Sequence, residues 1–255
     1  MKQLVYFASA LLLIVTACQK DDESTSSTYV ISKDSTYNGN TSQTMVRLYE
    51  YNSSNRLVRV QYKIGTSSTY EAHDTIYYNG DSRVSKVETY VNGKDAAWVV
   101  AVYSYSSGVL SSVYEVGTND NGPYSLTRTY TYTGDKLSAL STAYTIGSNP
   151  NGPPDNFTDV IFTGSNITSV NLTGQGVITA SYDLTATNPY YGLNYKTDYF
   201  INLFSKNNIL KAYLISDPAK VFVDNAYTYI DGRVATVTDS AQEPAVTIKI
   251  TYKAL

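Results

Sequence analysis

The chain has 255 residues, of which 26 are Tyr and only 16% are charged. Its formal net charge of −3 excludes the strongly basic surface on which nucleic-acid binding depends. A single Cys excludes an intramolecular disulfide, and the abundance of Tyr, Thr and Val favours strands over helices.

The first 28 residues have the pattern of a leader and a tether. A positive start is followed by the apolar run Leu4–Val15, which is too short for a comfortable membrane span. The motif Val15-Thr16-Ala17-Cys18 resembles the bacterial lipobox; the alternative is an ordinary signal peptide that contains a Cys. We expect a signal peptide over residues 1–17, acylation of Cys18, and a lipidated tether over residues 18–28.

The tether also carries a sorting pattern. Lys20 followed by Asp21-Asp22-Glu23 resembles the surface-export signal of Bacteroidota lipoproteins, and a solvated polar linker is the alternative. The pattern predicts a lipid-anchored protein of the outer membrane that faces the cell exterior.

A β-hairpin pattern recurs along the rest of the chain. An aromatic residue closes the first strand of each unit, at Tyr51, Tyr78, Tyr105, Tyr132, Phe162, Phe204 and Tyr229. An aliphatic residue follows five or six positions later, at Leu57, Val84, Leu110, Leu137, Ile167, Ile209 and Val234. Three positions further lie Val60, Val87, Val113, Leu140, Val170, Ala212 and Val237. Turn-forming Gly, Asn and Asp lie between the aromatic and the first aliphatic residue.

The spacing of the two aliphatic residues leaves one question open. Residues three apart on a flat strand point to opposite faces of a sheet. Either the first aliphatic residue belongs to the turn, or a β-bulge corrects the register.

Seven hairpins supply about 14 strands, and residues 29–36 and 246–252 have the pattern of two more. We therefore predict a single all-β domain over residues 29–255, a long antiparallel meander of about 14–16 strands. Accumulated strand twist makes this meander curled or barrel-like. The strands lack a continuous aliphatic outer face, which argues against a barrel that spans lipid. A step of 42 residues between two aromatics predicts an insertion near residues 175–199.

The motifs Tyr132-x-Gly134-Asp135-x-Leu137-x-x-Leu140 and Tyr229-x-Asp231-Gly232-Arg233-Val234 resemble the RHS/YD hairpin repeat. Together with the lipobox and the Asn188-Pro189-Tyr190 segment, they resemble a Bacteroidota surface lipoprotein family of unknown function with a porin-like fold. The resemblance implies many antiparallel strands in a curled or barrel-like sheet, and no activity to carry over.

The sequence offers little for catalysis. His73 is the only His, lies beside Asp74, and is by default a structural residue. A Gly-x-Ser-x-Gly nucleophile elbow and a recognisable carboxylate pair are both missing from the sequence. The Asn- and Asp-rich connections lack the ligand pattern of a calcium loop. We predict no catalytic residue, no metal and no cofactor.

The aromatic residues give the sharper functional hypothesis. The repeated tyrosines are explained by cross-strand packing, whereas Trp98, Tyr190, Tyr191 and Tyr195 could form a platform on which sugars stack. We predict a non-enzymatic binding or interaction module, attached to the membrane through a lipid on Cys18. Its partner would be a glycan or another envelope protein, and not a nucleic acid. The alternatives are a glycan-binding accessory protein of polysaccharide uptake, a hydrolase that uses dispersed carboxylates, and a purely structural surface protein.

Overall fold

The computed structural model describes residues 29–39, 42–119, 122–146, 156–191, 193 and 204–255. The leader, Cys18 and the tether lie outside the described residues, so their roles stay predictions. The described residues form 16 strands: β1 (Tyr29–Asn38), β2 (Ser42–Tyr51), β3 (Leu57–Ile64), β4 (Ala72–Tyr78), β5 (Val84–Val91), β6 (Val99–Ser106), β7 (Val109–Asn119), β8 (Gly122–Thr133), β9 (Lys136–Ile146), β10 (Phe157–Thr163), β11 (Asn166–Leu172), β12 (Gly176–Thr187), β13 (Asn207–Leu214), β14 (Asp217–Ile230), β15 (Arg233–Asp239) and β16 (Val246–Ala254).

Each strand pairs with its neighbours in the chain, and β1 pairs with β16, so the meander closes into a barrel. This result confirms the predicted all-β meander and shows that the curled sheet has no free first or last strand. Within the described ranges, no helix is long and apolar enough to cross a membrane.

The connections alternate between the two ends of the barrel because consecutive strands are antiparallel. One end carries the short turns Ser107-Gly108 and Asp231-Gly232, in which both residues have positive φ, together with the connection 188–206. We call it the turn end. The other end, with connections such as 92–98, is the loop end. Tyr29 pairs with Ala254 at the turn end, so the chain before Tyr29 enters there.

A bulge settles the register question in all seven units. The pairing shifts immediately before the residue that closes the first strand, as between Glu50 and Tyr51 or between Thr131 and Tyr132. The same shift occurs before Tyr78, Tyr105, Phe162, Tyr182 and Tyr229. One extra residue on the second strand brings both aliphatic residues to the inner face. Most of the aliphatic residues in these two positions are consequently at most 4% exposed: Leu57, Val60, Val84, Val87, Val113, Leu137, Leu140, Ile167, Val170, Ile209, Ala212 and Val234.

Tyrosine hydroxyls connect one unit to the next. The Tyr78 hydroxyl donates to the Leu57 carbonyl at 2.8 Å, and the Tyr105 hydroxyl donates to the Val84 carbonyl at 2.9 Å. An equivalent bond runs from Tyr182 to the Ile167 carbonyl. The Ile209 carbonyl accepts instead from Tyr227, which lies two residues before the closing Tyr229. Each bond satisfies a buried carbonyl next to a bulge, where the strand ladder is interrupted.

The sixth unit differs from the prediction. Its closing aromatic is Tyr182, which pairs with Ile209, whereas Phe204 lies outside the strands and packs against the core. The predicted aromatic was wrong because spacing along the chain cannot reveal a partner beyond a long connection. Residues 175–199 comprise the end of a turn, strand β12 and the first part of the connection 188–206.

Candidate functional site

The four residues predicted to bind a ligand do not form one cluster. Trp98 lies at the loop end before β6 and is 44% exposed. Tyr190 and Tyr191 follow β12 at the turn end, where Tyr191 is 45% exposed. Tyr195 lies outside the described residues. Trp98 therefore belongs to the opposite end of the barrel from Tyr190 and Tyr191, and the role of all four residues in binding stays a prediction.

Tyr190 takes part in a polar cluster inside the barrel. Part of its side chain remains exposed, but its hydroxyl donates to the Asp34 carboxylate at 3.2 Å. Asp34 is fully buried and also accepts hydrogen bonds from Arg47 Nε at 2.8 Å and from the Tyr49 hydroxyl at 2.6 Å. Burial, together with the charge of Asp34, raises the pKa of Tyr190 well above its ordinary value. Tyr190 thus joins the residues that directly follow β12 to Asp34 of β1 and, through Asp34, to β2.

A different set of aromatic residues surrounds Trp98 on the outer surface of strands β4 to β7. Inward-facing Asp74, Val87 and Val113 alternate with outward-facing residues on β4, β5 and β7. His73, Tyr77, Tyr90, Trp98 and Tyr114 therefore share the outer surface, and we call them the outer aromatic face.

One row of this face consists of three adjacent rings near the loop end. His73 pairs with Tyr90 across β4 and β5, and their rings stack with centroids 5.1 Å apart and planes 14° from parallel. The Trp98 N–H donates to the carbonyl of Thr89 at 2.8 Å, which places Trp98 next to Tyr90. The Trp98 indole Nε1–H donates to the carbonyl of Thr118, so the exposed ring is held in one orientation.

A second row lies nearer the turn end. Tyr77 pairs with Lys86, Lys86 with Val102, and Val102 with Tyr114. Tyr77, Val102 and Tyr114 are 38%, 42% and 46% exposed. Lys86 Nζ lies 4.3 Å from the centroid of the Tyr77 ring, a cation–π contact. The two rows are four residues apart along β4, or about 13 Å at the rise of a strand.

Glu88 lies between the rows and joins them. Its carboxylate accepts hydrogen bonds from the hydroxyls of Tyr77 and Tyr90, both at 2.8 Å, and from Lys86 Nζ at 2.8 Å. The bonds from Lys86 and the two tyrosines lower the pKa of Glu88 to about 2. The two tyrosine rings are therefore fixed in place before any ligand arrives.

This arrangement suits binding better than hydrolysis. Fixed aromatic rings offer apolar faces, and their hydroxyls and charged neighbours supply hydrogen bonds at the edges. Glu88 is ionised at neutral pH, so it cannot serve as the protonated carboxyl that glycoside hydrolysis needs. Burial and the nearby Arg59 lower the pKa of His73, which keeps its ring neutral at pH 7. Among the described residues, no group of three or more His, Cys, Asp or Glu side chains could hold a metal ion.

Sequence reasoning found Trp98 but not its neighbours. Tyr77, Tyr90 and Tyr114 were not singled out, because spacing along the chain does not separate exposed tyrosines from those that pack the core. The signal was present in the alternation, because Tyr77 lies next to the closing residue Tyr78 and so faces outward.

No protein-family model and no curated protein matches the chain. Among solved structures, a porin-like protein from Bacteroides uniformis ATCC 8492 is 12% identical, with a TM-score of 0.51. The match covers 88% of this chain and 98% of that chain. A porin-like protein from Bacteroides vulgatus ATCC 8482 is 10% identical, with a TM-score of 0.44, and the match covers 89% of this chain and all of that chain.

A third match is to the TcdB2-TccC3-Cdc42 structure, at 13% identity and a TM-score of 0.36. It covers 78% of this chain but 10% of that chain. At these identities, likeness concerns the fold alone. The chain shares its barrel fold with the porin-like protein from Bacteroides uniformis.

Proposed function

We propose that this protein is a non-enzymatic binding module, anchored to the cell surface by a lipid on Cys18, and that its ligand is a glycan. The observation that carries the proposal is the outer aromatic face, in which Tyr77, Trp98 and Tyr114 are exposed. Glu88 fixes the rings of Tyr77 and Tyr90, and the Thr118 carbonyl fixes that of Trp98. Ring faces that need no reordering lose little conformational entropy when a sugar stacks on them. Another envelope protein is the second candidate partner.

The proposed location follows from the sequence. The lipobox ending at Cys18 supports acylation, and Lys20 with the acids after it supports export to the outer face of the outer membrane. We place the chain with the Bacteroidota surface lipoproteins that it resembles. The resemblance includes the RHS/YD-like hairpin motifs. In this arrangement the turn end of the barrel is nearer the membrane, because the tether enters at Tyr29.

A glycan array with matched variants tests the ligand. Trp98→Ala should weaken binding by about tenfold, because loss of one aromatic contact costs roughly 0.5–1.5 kcal/mol beyond the buried area. Tyr29→Ala is the control, since Tyr29 is 42% exposed but lies at the turn end of β1. Failure to bind any glycan, or a loss that is equal in both variants, would contradict the proposal.

Labelling tests the anchor. Metabolic labelling with palmitate should mark the wild-type protein and not Cys18→Ser. Proteinase K added to intact cells should degrade the wild type, and replacement of Lys20–Glu23 by alanines should protect it. A Cys18→Ser protein that still incorporates palmitate would refute acylation at Cys18.

A further inference from the structure

The side of the outer aromatic face nearest β3 carries a group of polar side chains. Arg59 and Gln61 face outward on β3, because Val60 between them is fully buried. Gln61 pairs with His73 across the sheet, and Arg59 pairs with Thr75, two positions nearer the turn end. Burial, followed by the charge of Arg59, lowers the pKa of His73, so the guanidinium lies close to the imidazole ring. We call Arg59, Gln61 and His73 the polar edge.

The side chains of the polar edge have no partners in the part of the chain that the structure describes. Nε of Arg59 is buried and forms no hydrogen bond there. Glu50 pairs with Arg59 across β2 and β3, yet the two side chains form no ion pair. The Gln61 amide and the His73 ring nitrogens form no hydrogen bond within the described ranges either. Polar groups of this kind cost stability unless a water molecule or a ligand bonds to them.

The polar groups at the centre of the face are, by contrast, bonded to one another. The Glu88 carboxylate accepts hydrogen bonds from two tyrosine hydroxyls and from Lys86. At the polar edge, Arg59 instead keeps an unpaired positive charge beside the stacked rings of His73 and Tyr90. The face of the His73 ring that is turned away from Tyr90 looks towards β3, where this charge lies. Ring contact and charge are therefore offered side by side.

The dimensions of the face suit a ligand of several sugar rings. The polar edge begins on β3, and Trp98 lies at the other end of the same aromatic row, three strand spacings or about 14 Å away. The planar guanidinium group of Arg59 matches the paired oxygens of an anionic group such as a carboxylate or a sulfate ester. An oligosaccharide of that length reaches from the stacking rings to the cation.

We infer that the ligand of the outer aromatic face is an acidic glycan, whose carboxylate or sulfate ester binds Arg59 while its sugar rings contact the aromatic row near the loop end. This inference rests on the proposed glycan-binding function and adds to it the charge of the ligand. The Gln61 amide supplies hydrogen bonds to neighbouring sugar hydroxyls. Glu50 is exposed beside Arg59 and repels an anionic ligand, so it limits the affinity.

A glycan array that carries each acidic glycan beside its neutral counterpart tests the inference. Uronic-acid glycans are printed in native and carboxyl-reduced form, and sulfated glycans in native and desulfated form, so the two sources of charge are read separately. We expect the wild type to prefer one kind of acidic glycan over its neutral counterpart by about tenfold or more, because the neutral form loses a hydrogen bond between charged groups. Arg59→Gln should abolish this preference. Arg56→Gln removes the same charge from the β2–β3 turn and should retain it.

Two further variants separate recognition of charge from loss of structure. Glu50→Gln removes the competing carboxylate and should strengthen binding of the acidic form by up to about fivefold, a gain that misfolding cannot produce. Trp98→Ala should weaken the acidic and the neutral forms by the same factor, since it removes a ring contact and no charge.

The array also distinguishes failure of this inference from failure of the proposed function. Neutral forms that bind as tightly as acidic ones, or a preference for acidic forms that survives Arg59→Gln, would overturn the inference and leave glycan binding intact. Absence of binding to every glycan would overturn both.

Discussion

The hydroxyl of Tyr105 provides a test of how consecutive hairpins are held together. It donates to the Val84 carbonyl at 2.9 Å, and Val84 is 3% exposed, so Tyr105→Phe leaves a buried acceptor without its partner. The contact of the ring with Arg83, 5.5 Å from the centroid, is retained. Loss of such a bond costs about 1–3 kcal/mol when the remaining group is buried. Urea unfolding should show a lower midpoint with an unchanged slope.

The fifth unit supplies the reciprocal experiment, because it has Phe162 where other units have Tyr. Lys136 lies 5.8 Å from the centroid of this ring, as Arg83 lies above Tyr105, so the two rings occupy equivalent positions. Phe162→Tyr should place a hydroxyl near the Leu137 carbonyl and stabilise the protein by about 0.5–1.5 kcal/mol. The interpretation fails if Tyr105→Phe changes stability by less than about 0.5 kcal/mol, the range of neutral surface substitutions.

Three further predictions concern other parts of the barrel. Asp34→Asn should destabilise the protein by about 3–5 kcal/mol in urea unfolding, because it leaves the charge of Arg47 buried and uncompensated; an effect below 1 kcal/mol would contradict this. The pKa of Glu88 is lowered from 4.5 to about 2, so its stabilising contribution is present above pH 4.5 and is lost as the pH falls towards 2. Glu88→Gln should therefore flatten the fall of the thermal midpoint over that range, and an unchanged profile would refute the assignment. Gly117→Ala would place a Cβ 2.9 Å from a valine methyl group and should cost about 1–3 kcal/mol, whereas Gly80→Ala, with open space around it, should be neutral; equal effects of the two substitutions would rule out steric crowding.

The regular part of the fold was accessible from the sequence because each hairpin is a local structure. Turn residues, an alternating strand and an aliphatic pair all lie within about a dozen residues. This pattern predicted about 14–16 strands, and the structure has 16. The sequence could not decide between a bulge and an aliphatic residue in the turn, because an extra residue on a strand requires no particular residue type. Closure of β1 onto β16 joins residues more than 200 positions apart, and such a contact leaves no mark in local periodicity.

The errors occur where a partner is distant along the chain. Phe204 has the correct spacing to Ile209, yet Tyr182 is the residue that pairs with it, 27 positions away. The sequence did not predict the outer aromatic face, for a related reason. His73, Tyr90 and Trp98 become neighbours only when the register of three strands is known, and a shift of one residue would turn each ring inward.

The outer aromatic face differs from the packing units in a way that explains where binding can evolve on this barrel. On the inner face, the closing aromatic, the two aliphatic residues and the carbonyl beside the bulge all serve the packing of the next unit. A change there costs stability, as Tyr105→Phe is expected to show. Residues that face outward do not pack against the next unit, so a row of rings can be exposed on β4 to β7 without disturbing the core. Ligand binding thus uses the positions that the packing pattern leaves unconstrained.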